Sequence, residues 1–192
     1  MPNRCDWVPL EIPEYIEYHD REWGYPLHDD RSFFELLCLE GAQAGLSWLT
    51  VLRKRDAYRE AFDAFDPVKV ARYDEAKIGE LLGNAGIIRN RRKIESAIRN
   101  AGVFLKIQEQ WGSFDSFIWR YTEGRPVVNA WRTHTEMPAT TELSDLISKE
   151  LKREGFNFVG STIVYAFLQS AGLVNDHTLD CFRREECLKA HT

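Results

Sequence analysis

The sequence predicts an all-α protein. Three observations carry this. Apolar residues recur at helical spacing along almost the whole chain, helix start and stop residues punctuate those runs, and convincing period-2 strands are missing. "RPVVNAWR" (125–132) is the only β-like run, and it is short. A length of 192 residues fits one domain, or one domain with a small appended lobe. At the usual helix length it holds roughly eight to ten short helices.

The elements follow in order. "DRSFFELLCLE" (30–40) opens on an Asp or Ser cap and is apolar around most of its circumference. The spacing predicts a helix over 46–63, where "WLTVLRKRDAYREAF" puts apolar residues on one face and charges on the other. In "FDPVKVARY", Asp66 caps a helix with Pro67 at its first position. Helices over 74–83 and 90–108 are separated by the break "NAGI". "TELSDLISKELKREG" starts at Thr141 as N-cap and ends at Gly155; "STIVYAFLQSAG" is an apolar helix that again stops at a Gly. No internal repeat, low-complexity segment or flexible linker is evident.

Composition bounds the function. With 44% hydrophobic and 29% charged residues the chain is globular, and its apolar stretches are too short to span a bilayer. "MPNRCDWVPLEIPEY" lacks the apolar stretch of a signal peptide, so a cytoplasmic protein is expected. A net charge of −5 speaks mildly against nucleic acid, but binding needs only a local basic face. "RKR" at 53–55 and "RNRRK" at 89–93 are basic, whereas 11–40 is acid-rich. Most of the many aromatic rings belong to a core.

Glu40 interrupts an apolar run. On a helix, Phe33, Leu36 and Leu37 bracket it, so its side chain leaves from the apolar face, while Glu35 points elsewhere and reads as exposed. The helix alone leaves open a frayed helix end or an acid tied to an interior donor. "GAQAG" follows, a backbone that another molecule can approach closely, and then Trp48. A carboxylate beside an indole suits a cationic or NH-rich aromatic ligand; Trp7, Tyr15, Tyr18 and Trp23 offer further rings.

Of the four Cys (5, 38, 181, 187), Cys181 stands four residues after His177, and Cys5 fourteen before His19. Two thiolates and two imidazoles make a closed tetrahedral zinc set, and one structural ion would clip both termini. Cys38 reads as a core thiol, and Cys187 has no visible partner. "KREGFNFVGSTIVYAF" reads as helix, hairpin, helix. The free amides at Gly160, Ser161 and Thr162 would hold a phosphate or merely form an αα-corner. Arg89, Arg91 and Lys93 in "GIIRNRRKI" fit a DNA-backbone clamp or a solubilising helix start.

Together these residues closely resemble the 3-methyladenine-DNA glycosylase I family. The resemblance rests on long colinear motifs: "RCDWV", "YIEYHDREWG", "LCLEGAQAGLSWLTVLRKR", "FDPVKVA", "AGIIRNRRKI", "GFNFVGSTIVYAFLQSAGLVNDH" and Cys181. It implies a divergent helix-hairpin-helix DNA glycosylase fold, one domain over 1–192. A helical core spans about 28–172, and the terminal segments 1–27 and 173–192 bind one structural zinc through Cys5, His19, His177 and Cys181. It implies hydrolysis of the N-glycosidic bond of 3-methyladenine, and less readily 3-methylguanine, in double-stranded alkylated DNA. Glu40 becomes the acid that reads the base edge, taken as ionised, and Trp48 its stacking partner. Tyr15, Tyr18 and Trp7 become wall residues, and Ala44, Gly45 and Leu46 the loop probing the gap left by the extruded nucleotide.

Two departures stand out. "FNFVG" carries Phe158 where the wider superfamily has a Gly, so fewer amide–phosphate contacts are expected. Asp176 and Asp180 occupy the region of a superfamily catalytic Asp but flank the zinc ligands, and neither is assigned. No lysine nucleophile stands out, so a monofunctional enzyme is expected, and damage search by a small domain suits a monomer. The rivals are a non-catalytic helix-hairpin-helix DNA-binding module and a glycosylase for another alkylated base.

Overall fold

Asp29 starts the central helix of the protein: its carboxylate accepts the Ser32 amide at 2.8 Å and so caps α2 (Asp30–Gln43). The computed structural model describes residues 2–190, and the outermost residues of the two terminal segments, 1 and 191–192, lie outside them. Before α2 comes α1 (Pro13–Arg21), and after it α3 (Trp48–Leu52), α4 (Arg55–Ala61), α5 (Pro67–Val70) and α6 (Glu75–Gly83). The long α7 (Arg91–Trp111), α8 (Phe114–Trp119), α9 (Glu142–Glu154), α10 (Ser161–Ser170) and α11 (Arg183–Lys189) complete eleven α-helices among the described residues. "RPVVNAWR" supplies β1 (Val127–Val128), which pairs in parallel with β2 (Val174–Asn175).

α2 lies at the centre because it is apolar nearly all round; Phe33, Phe34, Leu36, Leu37 and Leu39 are buried. α7 meets it with Ile94, Ala97, Ala101, Phe104 and Ile107, an i, i+3, i+7 stripe. Phe104 stacks on Phe114 at 4.5 Å between ring centroids. Asp30 accepts the amides of Phe114 and Asp115 at 2.8 and 2.9 Å, so the start of one helix caps the start of another.

The hairpin between α9 and α10 forms as its sequence predicts. Thr141 and Ser144 make a capping box, and Gly155 ends the helix at φ +109°. Phe158 takes φ +53°, a left-handed conformation that Gly adopts more readily. The Asn100 side chain donates to Asn157 O and accepts from Asn157 N, holding the hairpin on α7.

The structure departs from the sequence reading at four places. α2 runs through Gly41 to Gln43, so only the end of "GAQAG" is turn. The 46–63 run breaks at Arg53–Lys54 into α3 and α4. Short helices α1, α8 and α11 carry too few turns for a readable periodicity. Glu35 is buried rather than exposed, because Arg55 and Arg59 from α4 close over it.

Gly172 joins the core to the N-terminal segment. At φ +71° it lies so close to Tyr25 that an added Cβ would meet that residue's carbonyl carbon and oxygen at 2.4 Å. Gly172→Ala is therefore expected to cost ~2–4 kcal/mol of stability. It should lower the urea midpoint without altering the slope of the transition.

Candidate functional site

Glu40 sits one turn before the end of α2 and is 3% exposed. Its Oε1 accepts the Ser170 hydroxyl at 3.0 Å, and the Tyr18 hydroxyl donates to Ser170 Oγ at 2.6 Å. Oε2 is buried and without a partner. Burial, opposed by only the Ser170 hydrogen bond, pushes the carboxyl up to about 8. Burial thus favours the neutral acid near pH 7, and a nearby positive charge would favour the carboxylate that the sequence reading takes for Glu40.

Glu40 opens into a cavity of about 390 Å³. Trp7, Tyr15, Tyr18 and Trp48, all picked out in the sequence, line it together with Trp23. Tyr18 and Trp48 lie 5.4 Å apart with their planes tilted by 53°, and Trp7 meets Tyr15 edge-on at 6.1 Å. The indole Nε1 atoms of Trp7 and Trp48 are buried and unpartnered. A ring slot with two spare donors and one carboxyl oxygen suits a planar heteroaromatic.

Two walls were missed in the sequence. Thr162, Tyr165, Ala166 and Gln169 recur at i, i+3, i+4, i+7 on α10 and line the cavity opposite the apolar core face; that second stripe was legible. Fully buried Asp176 orients it, accepting from Tyr165 Oη and from Gln169 Nε2 at 2.7 Å, besides Asn129 and Trp131. Asp180, by contrast, is exposed and bonds Asn3. The other wall, His134 and Met137–Ala139, comes from a short 3-10 turn (His134–Glu136) and the chain after it, with no sequence signal. Asp6 fastens it through the His134 amide and ring at 2.9 and 2.8 Å.

Gly45 and Leu46 are exposed beside the cavity, and Gly45 takes φ +78°. Ala44 is the C-cap of α2. Gly160 is the N-cap of α10; Ser161 Oγ bonds Ser144 Oγ at 2.8 Å, while Thr162 is exposed and lines the cavity. Arg89 is exposed, and Arg91 is paired with Glu75 and Glu95. Lys93, expected on the DNA backbone, instead donates to Ala42 O and Ala44 O at 2.7 Å each.

Cys5, His19, His177 and Cys181 are all buried, and their donor atoms lie within 4.8 Å of one another. Cys5 Sγ is 3.5 Å from His177 Nδ1, and Cys181 Sγ is 3.4 Å from both His177 Nδ1 and His19 Nε2. A tetrahedral ion with metal–sulfur and metal–nitrogen bonds near 2.3 and 2.0 Å has S···N edges of roughly 3.5 Å. The outer nitrogens are held as well: His19 Nδ1 on Asp20 at 2.8 Å, and His177 Nε2 on the Trp23 carbonyl at 2.9 Å. The donor set can hold one metal ion.

The methyladenine glycosylase family profile matches residues 7–184. The chain is 49% identical to DNA-3-methyladenine glycosylase 1 of Escherichia coli (strain K12), over 93% of this chain and 95% of that protein. It is 48% identical to DNA-3-methyladenine glycosylase of Haemophilus influenzae, over 94% and 97%. Its fold superposes on 3-methyladenine DNA glycosylase I (TAG) from Staphylococcus aureus, solved for the basis of 3-methyladenine recognition. That match has a TM-score of 0.91, 39% identity and coverage of 95% and 96%. The aromatic cavity with its buried acid thus occurs in a chain that belongs to the methyladenine glycosylase family.

Proposed function

We propose that the chain is a base-excision repair enzyme that hydrolyses the N-glycosidic bond of 3-methyladenine, and less readily 3-methylguanine, in alkylated DNA. The observation that carries this is the buried Glu40 carboxyl, its Oε2 unpartnered, beneath the rings of Tyr18 and Trp48. The relatives named above are DNA-3-methyladenine glycosylases, which fits.

The electrostatics support a charge-based selection. Methylation at N3 makes the base a cation with a weakened glycosidic bond. Ionising Glu40 is unfavourable beside a neutral base, since burial holds its carboxyl near 8. A cationic base reverses that balance: it favours the carboxylate and is itself held between aromatic faces. Glu40 Oε2 then accepts from the exocyclic amine, the glycosidic bonding pair goes to the base, which leaves neutral, and water adds at the sugar carbon and loses its proton to solvent. No lysine is among the described lining residues, and we read the enzyme as monofunctional.

Extrusion falls to Ala44, Gly45 and Leu46, with Leu46 as the apolar wedge. The amides at Gly160, Ser161 and Thr162, and the Arg89 and Arg91 side chains, hold the backbone of the duplex. Cys5, His19, His177 and Cys181 hold one structural zinc, which cross-links the termini when bound. Trp7, Tyr15 and Tyr18 flank its ligands Cys5 and His19 in sequence, so that cross-link also sets one pocket wall. The enzyme acts as a monomer in the cytoplasm.

Glu40→Gln should lower release of 3-methyladenine from methylated duplex by about 1–3 kcal/mol, roughly 5- to 150-fold, and Trp48→Ala by a similar amount. Released bases identified by chromatography decide this: near-parental release by both variants would refute the pocket, and no release by the parent would favour a non-catalytic DNA binder. Stability supplies an independent check on Glu40. Its folded pKa is raised, from an ordinary 4.5 to about 8, so native Glu40 loses stability as pH rises through that window. Thermal melts of Glu40→Gln and parent should coincide below about pH 4.5 and diverge up to pH 8, the variant gaining on the order of a few kcal/mol. Metal analysis of folded protein should find one zinc per chain, and chelation should lower the melting temperature; a folded, metal-free preparation with parental stability counts against the site.

A further inference from the structure

We propose that Lys93 acts on DNA without touching it: a positioning residue whose ammonium fixes the shape of the Ala44–Leu46 loop. This rests on the reading that the loop probes the duplex.

The argument begins with charge placement. Lys93 is the third residue of α7, with its amide capped by Asn90. A helix start carries partial positive charge, so a lysine there opposes its own helix dipole. The end of α2 has the opposite need. Its last carbonyls lack intrahelical donors, and its last turn contains no basic residue. Lys93 supplies that cation from another helix, with Nζ at 2.7 Å from both Ala42 O and Ala44 O.

Those two carbonyls lie on either side of Gln43, which itself lines the cavity. Holding both on one ammonium fixes the peptide planes where α2 gives way to the loop. Leu46 N then bonds Gln43 O at 2.6 Å, Gly45 takes φ +78°, and the Leu46 side chain is left outside, 41% exposed. The Lys93 stem runs inward past Cys38 and Ala97. Burial draws its pKa down, in keeping with an ammonium turned from solvent toward the loop's underside. The exposed basic neighbour, Arg89, has no such engagement among the described residues and is the natural comparison.

Salt dependence separates the two roles. A phosphate contact releases counterions, so losing one flattens the slope of log K against log[salt] by about 0.9; losing a brace leaves the slope intact. With the full-length protein and a methylated duplex, Lys93→Met is expected to keep the parental slope and parental affinity for free 3-methyladenine. Single-turnover base release from duplex should fall tenfold or more. Arg89→Met should flatten the slope. A flattened slope for Lys93→Met, or parental release from it, overturns the proposal. If Lys93→Met does not fold, Lys93→Arg decides. The guanidinium is bulkier than the ammonium and must fit the narrow space beside Cys38 and Ala97, so the brace predicts impaired release at an unchanged slope, whereas a phosphate contact predicts parental release. Parental release by Lys93→Arg overturns it. Leu46→Ala is run alongside: parental release from that variant refutes the loop reading itself, whatever Lys93 does.

Discussion

Two side chains from each end of the chain, Cys5 and His19 with His177 and Cys181, converge within 4.8 Å, and the rest of the site depends on that convergence. The helical core alone provides Glu40, Trp48 and the α10 face. The segment carrying Trp7, Tyr15 and Tyr18 reaches the core because its neighbours Cys5 and His19 meet the C-terminal pair. Backbone contacts reinforce the closure: Gly24 N donates to Gln169 O, and Phe182 N to Asn3 O. The 134–139 wall, a single 3-10 turn followed by irregular chain, is fastened to Asp6, next to a cluster residue, so it too is referred to the same anchor.

α2 carries two buried acids, and their different surroundings separate structure from chemistry. Glu35 faces Arg55 and Arg59, and Arg55 reaches on to Glu22, so a charged network ties α2, α4 and the end of α1 together. Glu40, five residues on, has one neutral hydroxyl and a free oxygen. An acid whose partners are all supplied by the fold has little left to recognise. An acid left incomplete at the floor of an aromatic slot retains both a hydrogen-bonding site and an electrostatic preference for a cation.

What the sequence made legible was local. Asp66 before Pro67 and the Thr141–Gly155 bracket mark helix ends through caps within a few residues, and the structure forms those caps. The wheel that turned Glu40 inward needed only residues 33–40. Illegible features depend on distant partners. Glu35 reads as exposed until α4 folds over it, and Lys93 reads as a surface charge until the end of α2 lies against it. The α10 lining stripe was present in the spacing, but the core-facing residues of the same helix obscured it. The Cys/His set is an intermediate case: each pair is local, and only the meeting of the pairs is tertiary.

That meeting has a consequence for how the protein comes into being. Cys5 and His177 are 172 positions apart, and His19 and Cys181 are 162. Helical hairpins such as α9–α10 assemble from neighbours as they emerge during synthesis, but contacts of that span cannot form until residues 177–181 have followed the helical core. The nascent chain can therefore build its scaffold early while the aromatic wall still lacks its anchor. The aromatic wall thus closes after the scaffold, and a chain cut before His177 would carry most of the helical core with only half of the anchor.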